Sequence, residues 1–390
     1  MNLEDIQNKT ILFFGKSRAF SSEEFDAQLK YHNISISKEY SDKIVIVVDG
    51  KMMTPYEQNE NDKLYEEYSK TLEFVDIDTF EKELAKKLDE DTLLMSLKLS
   101  RDKVRLKSFI VNTMISDELF YKLIKMYDWS NDDFFENDDN RDVSAAFISR
   151  FYENIERNHN VQYATTGFIH LIKQTNNPIL LENILTLKPI KYNPKMKMQM
   201  AVNEYSSEKI LKQLQKDDNY EVKEALSTNQ NLNIDIINAF IDDENLGSNI
   251  AKNIKLNDEY FNLLKKYKVA LALNESLTFD MQKKLLSDEN IEVKYALALN
   301  NNINAEVLNI LLDSDNEDIK SALYENTNMP IDKLNKAYQD NIYYEQLAKN
   351  ESTPVEILYQ LQLDSRYERY VKTNASFGKH IQQENIGWLV

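Results

Sequence analysis

The sequence predicts an α+β multidomain protein: a small α/β domain over residues 1–90, an irregular helical stretch over 91–175 with degenerate repeats, and an α-helical repeat array over 176–390. Two observations predict it. The first is an asparagine that returns eight times, as Asn203, Asn229, Asn253, Asn274, Asn300, Asn326, Asn350 and Asn374, at spacings of 21 to 26 residues. Such a period signals a solenoid. Seven residues before each Asn stand Met196, Val222, Leu246, Tyr267, Val293, Ile319, Tyr343 and Tyr367, and three before it Met200, Leu226, Ile250, Leu271, Leu297, Leu323, Leu347 and Val371. All sixteen are apolar, and a separation of four puts each pair on one helical face. Ala225, Ala270, Ala296 and Ala322, four before the Asn, let neighbouring helices approach closely. A second apolar run follows each Asn, such as Val307, Leu308 and Leu311, so each unit reads as helix, turn, helix. The Asn is expected to close its helix by adopting the left-handed conformation, with its amide satisfying exposed carbonyls at the turn.

The second observation is that the repeat is lost near the N-terminus, where short apolar runs end in turn residues. Thr10 to Phe14 reads as a buried strand. Ser21-Ser-Glu-Glu starts a helix reaching about His32, and Ile34 to Ser37 alternates as a second strand. Lys43 to Val48 is a third strand, closed by Asp49-Gly50. A helix near Asn61 to Lys70, a fourth strand over Leu72 to Ile77 and a closing helix from Thr79 to Leu84 complete the unit. In the intermediate stretch, Val104 to Asn112 followed by Leu119, Phe120 and Leu123 looks like a degenerate copy of the repeat. The acidic run Asp132 to Asp142 has no glycine and no alternating ligands, which argues for an exposed loop rather than a calcium site.

Val293-Lys-Tyr-Ala-Leu-Ala-Leu-Asn300 with Leu308, Leu311 and Asp313, and Asn350-Glu-Ser-Thr-Pro354 with Leu358 and Leu361, resemble the leucine-rich repeat variant, a relative of HEAT repeats. The resemblance covers about residues 176 to 385 and implies a right-handed solenoid with a curved binding face. It departs from the family in lacking the Asn-Pro step, and the cysteines that an iron-sulfur cluster would need are absent. Lys9 to Gly15, Ser22-Glu-Glu-Phe, Ile44 to Gly50 and Asp78-Thr-Phe-Glu resemble a BRCT domain over about 80 residues, without the paired glycines after the first helix and with Phe80 where a tryptophan is usual. That resemblance implies a protein-binding domain, with Ser17 and Lys63 as candidate phosphate-binding residues.

Composition narrows the chemistry. The net charge of −18 opposes nucleic acid and anionic membranes unless a local basic feature exists, and the absence of Cys excludes thiol catalysis and cysteine-ligated zinc. His32, His159, His170 and His380 do not fall at metal-ligand spacing, and the six glycines form no phosphate loop or dinucleotide fingerprint. No catalytic, cofactor or metal residue is therefore assigned. No signal peptide or membrane-length apolar run is read, so a cytoplasmic location is expected, and the wealth of Asn, Lys, Ile and Tyr suits an AT-rich bacterial genome.

One repeat column is basic. Six residues before the Asn stand Lys197, Lys223, Lys268, Lys294 and Lys320, with Gly247, Tyr344 and Glu368 completing it. The lysines and Tyr344 are candidate partner-binding residues; the structural alternative pairs the lysines with acids of neighbouring repeats such as Asp243, Asp288 or Asp313. The expectation is a non-enzymatic adaptor that binds a protein or peptide, anionic in character, on the curved face. Nucleic-acid association through the lysine column is the second reading, and an enzyme on a HEAT-like scaffold the third.

Overall fold

Residues Ile11 to Phe14 and Ile46 to Val48 are apolar without interruption and are all buried, the pattern of strands covered on both faces of a parallel sheet. In the computed structural model, which describes residues 2–129, 138–151 and 164–383, they lie in the two central strands. The elements run β1 (Thr10–Phe14), α1 (Ser22–Tyr31), β2 (Ser35–Ser37), β3 (Ile44–Asp49), α2 (Pro55–Tyr68), β4 (Glu73–Asp76) and α3 (Ile77–Lys86). The sheet order is β2-β1-β3-β4, and every pairing is parallel. Gly15 turns the chain out of β1 at φ +69°, and a Cβ there would lie 2.5 Å from the Lys51 carbonyl oxygen, so glycine is required twice over.

Two boundaries differ from the sequence reading, and capping explains both. Helix α2 starts at Pro55 because Thr54 and Glu57 form a reciprocal capping box ahead of it. Helix α3 starts at Ile77 because the Asp76 carboxylate accepts from the Thr79 amide, which also ends β4.

Helices follow: α4 (Glu90–Ser100), α5 (Lys103–Ile110), α6 (Asp117–Met126), α7 (Asp138–Phe151), α8 (Ala164–Gln174), α9 (Pro178–Thr186) and α10 (Lys188–Lys191). The degenerate copy is helix, turn, helix as expected, formed by α5 and α6. Its Asn112 is buried and accepts from the Met114 amide at 2.8 Å, but Nδ2 has no partner among the described residues. Of the acidic run, Asp138 to Asp142 open α7 rather than a loop; residues 132–137, like His159, lie outside the described residues.

The chain forms two compact units, Met1–Met196 and Lys197–Val390, with the boundary inside α11 (Pro194–Val202). The second unit continues α12 (Glu208–Gln215), α13 (Tyr220–Ser227), α14 (Ile234–Phe240), α15 (Glu244–Asn253), α16 (Asp258–Leu263), α17 (Lys268–Ala272), α18 (Phe279–Leu286), α19 (Ile291–Ala298) and α20 (Ala305–Leu312). It ends with α21 (Glu317–Glu325), α22 (Ile331–Gln339), α23 (Tyr344–Lys349), α24 (Val355–Gln362), α25 (Glu368–Thr373) and α26 (Ala375–Gln383). From α13 to α25, each odd-numbered helix packs against the next odd-numbered one, forming one layer; the even-numbered helices back it. This is a helical-repeat array.

Of the sixteen expected core side chains, thirteen are buried and the tyrosines Tyr267, Tyr343 and Tyr367 are half-buried. Tyr367 packs edge-on against Tyr344, and the other two exceptions follow from the phenol, whose hydroxyl needs a polar partner. Tyr267 donates to the Ile241 carbonyl at 2.6 Å, and Tyr343 to Glu317 at 2.6 Å. Asparagine has a further use here as a helix N-cap: Asn219, Asn233, Asn257, Asn290, Asn304 and Asn316 each accept from first-turn amides. Such caps stabilise a helix by about 1 kcal/mol apiece, which matters for helices only two turns long. No described helix is long and apolar enough to cross a membrane.

Candidate protein-binding surface

An α-helix advances about 100° per residue, so position relative to the repeat Asn fixes where a side chain points. Taking the position seven before the Asn as zero, three before it comes at about 40°, and both face the backing layer. The positions four and two before it fall on the two flanks, against neighbouring helices of the same layer. Ala296, Ala322, Ala251, Ala272, Ala298 and Ala348 occupy them and are buried. The positions five and one before it come at about 200° and 240°, opposite the core, and form the open face of the layer.

The repeated asparagines are a structural ladder. Asn229, Asn274, Asn300, Asn326, Asn350 and Asn374 each donate twice through Nδ2 to main-chain carbonyls of the preceding repeat, at 2.7–3.2 Å. Each Oδ1, including that of Asn203, accepts from the amide two residues on. The amide therefore satisfies helix-end carbonyls as expected, but those of a neighbouring repeat. The left-handed conformation does not occur: Asn326, Asn350 and Asn374 have φ between −71° and −76°, and no ladder Asn has positive φ. Asn253 stands off the ladder. Helix α15 runs one residue longer, so the buried Ile254 takes the ladder position and its carbonyl receives Asn274, while Asn253 is exposed.

The lysine column lies at about 100°, on the flank rather than the open face. Lys197 pairs with Asp217 at 2.6 Å, with both side chains largely covered, and Lys268 with Asp288 at 2.5 Å. The Lys268 ammonium holds the Asp288 carboxyl below its usual range. Lys320 pairs with Glu317 on its own helix at 2.9 Å. Lys223 and Lys294 form no ion pair within 4 Å among the described residues. Asp243 is occupied instead as the cap of α15 and as an acceptor for Tyr220. At Gly247 a Cβ would meet the Tyr267 hydroxyl and ring edge at 2.3–2.4 Å, so a lysine in that copy would displace the tyrosine. Tyr344 is half-buried, stacked on Tyr338 and donating to Asn341 at 2.6 Å.

The open face carries what the sequence reading missed. In the neighbouring helices α17 and α19 its positions are Val269, Leu273, Tyr295 and Leu299; Tyr295 is 41% exposed and Leu299 40%. Two parallel ridges of apolar side chains thus stand together away from the core. They are bordered by Ser248 and Lys252 on one side and by Ser321 and Glu325 on the other. Apolar residues five and one before the Asn in adjacent copies are the signal that marks them. Val269 is 36% exposed and Leu273 half-buried; adjoining, partly exposed apolar side chains of this kind point to an interaction surface, whereas isolated exposed apolar residues do not.

In the first unit, Ser17 follows Gly15 at the end of β1. The next three amides, of Arg18, Ala19 and Phe20, all donate to the carboxylate of Glu81, which is fully buried. An internal anion therefore fills the backbone nest beside Ser17. Lys63 is exposed and paired with Glu60 one turn away on α2, and no hydrogen bond joins it to Ser17 among the described residues. None of the family models, curated proteins or solved structures compared with this chain matches it.

Proposed function

We propose that the protein is a non-enzymatic adaptor whose helical repeats, read as a right-handed solenoid of the leucine-rich repeat variant kind, bind a protein or peptide on the open face of the odd-numbered helices. The observation that carries this reading is the apolar patch of Val269, Leu273, Tyr295 and Leu299 on a rigid, ladder-braced layer. Side chains at those positions point away from the backing layer and remain partly exposed, so their apolar character supports a role in contact with a partner. The N-terminal unit is read as BRCT-like, a reading supported by its β-α-β-β-α-β-α order and four-stranded parallel sheet, and as a second protein-binding surface. The test is a native pull-down from source cells with quantitative mass spectrometry, comparing wild type with Leu299→Glu. Because Leu299 faces solvent, the variant should melt within about 0.5 kcal/mol of wild type while losing the principal partner. Retention of every partner, or nanomolar salt-sensitive binding of DNA by the wild type, would overturn this reading; the second outcome favours nucleic acid at the lysine column.

A further inference from the structure

The first unit contains a groove of about 990 Å³ between α4, α5, α6 and the start of α7, at the upper end of the range for ligand pockets. Its apolar lining includes Met95, Leu106 and Met126; Met95 is 59% exposed, and methionine suits a surface that must adapt to another chain. Its charge runs against that of the whole molecule. Six lysines and arginines line it against four aspartates, in a chain with 47 bases and 65 acids. Lys107 and Lys122 are tied to acids, Lys107 to Asp139 and Asp142 and Lys122 to Glu90 and Glu118. Lys98, Arg101, Lys103 and Lys125 form no ion pair among the described residues. Of the lining acids, Asp102 is engaged as the N-cap of α5.

Arg101 adds an independent feature. It caps the C-terminus of α4 at φ 54°, ψ 26°, a left-handed position that ordinarily favours glycine. A strained backbone thus holds a cation at the groove's rim. We propose that this groove docks an acidic segment of a partner protein that inserts apolar side chains between α4, α5 and α6. The unpaired cations are spread along the end of α4, the start of α5 and the end of α6. That distribution matches several carboxylates along a peptide rather than the single headgroup of a lipid anion.

The experiment uses the full chain and a short fluorescein-labelled peptide in which Leu and Phe alternate with Glu and Asp, read by fluorescence anisotropy. The acidic peptide should bind, weaken as salt is raised, and bind at least tenfold better than the same peptide with Lys in place of the acids. In the double variant Arg101→Gly, Lys125→Ala, affinity should fall at least tenfold while the melting temperature holds or rises, since glycine relieves the left-handed position. Leu299→Glu should leave this binding unchanged, which separates the groove from the solenoid face. Equal binding of the lysine peptide, unchanged affinity in the double variant, loss of binding in Leu299→Glu, or displacement of the peptide by lower concentrations of oleate would each overturn the proposal.

Discussion

Replacing Asn300 by Asp, a change of one atom in a side chain of nearly the same shape, is expected to destabilise the repeat unit by about 3–5 kcal/mol. Asn300 is buried, and its Nδ2 donates to the carbonyls of Ala272 and Asn274 at 2.8 and 2.9 Å. Aspartate turns that donor into a charged oxygen facing two carbonyl oxygens, with no cation to compensate. Asn253→Asp is the internal control. Asn253 is exposed and off the ladder, so the same chemical change there should stay within about 0.5 kcal/mol. Urea denaturation of the full chain followed by circular dichroism reads both variants. In Asn300→Asp the introduced carboxyl would have its pKa pushed up by burial, so the unfolded state releases that proton at lower pH than the folded state. The penalty should therefore shrink as the pH falls through the raised pKa toward the unfolded-state value, as protonation restores one donor. Equal effects at the two positions would refute the ladder.

Leu297→Asp is expected to cost several kcal/mol and to strip hydrogen-exchange protection from α19 and its neighbours. Leu297 is fully buried three residues before Asn300, and a carboxylate there has no partner in the apolar interior. Tyr295→Asp, two residues away and on the opposite face of the same helix, should cost less than about 1 kcal/mol. The contrast tests which side of the helix is core, and the same geometry defines the open face. Comparable losses at both positions would mean that Tyr295 is packed rather than presented.

Much of this architecture is legible in the residues. The spacing of the asparagines and the apolar pairs before them locate the odd-numbered helices, because a repeat must place the same contacts at the same offsets. The register slip at Asn253 is hidden by composition. Asparagine happens to precede Ile254, and spacings of 24 and 21 on either side look like ordinary variation. The left-handed expectation fails because it treats each Asn as closing its own helix, whereas the amide bonds across to the previous repeat. The lysine column drew attention as the distinctive charged column, yet its angle puts it between helices, where Lys197 and Lys268 serve as struts. The apolar face went unseen for the opposite reason. Lys268 to Leu273 and Ile291 to Leu299 are apolar nearly all round, and such a helix reads as wholly core until the layers are known. The groove was illegible because its lining comes from four helices whose packing no short-range pattern encodes.

The most direct test of the central claim places a photo-crosslinking amino acid at Tyr295, on the open face, or at Ile310, 51% exposed on α20 in the backing layer. Irradiation in source cells should join a partner to the chain from position 295 and not from position 310. Adducts from 310 with none from 295 would contradict the account.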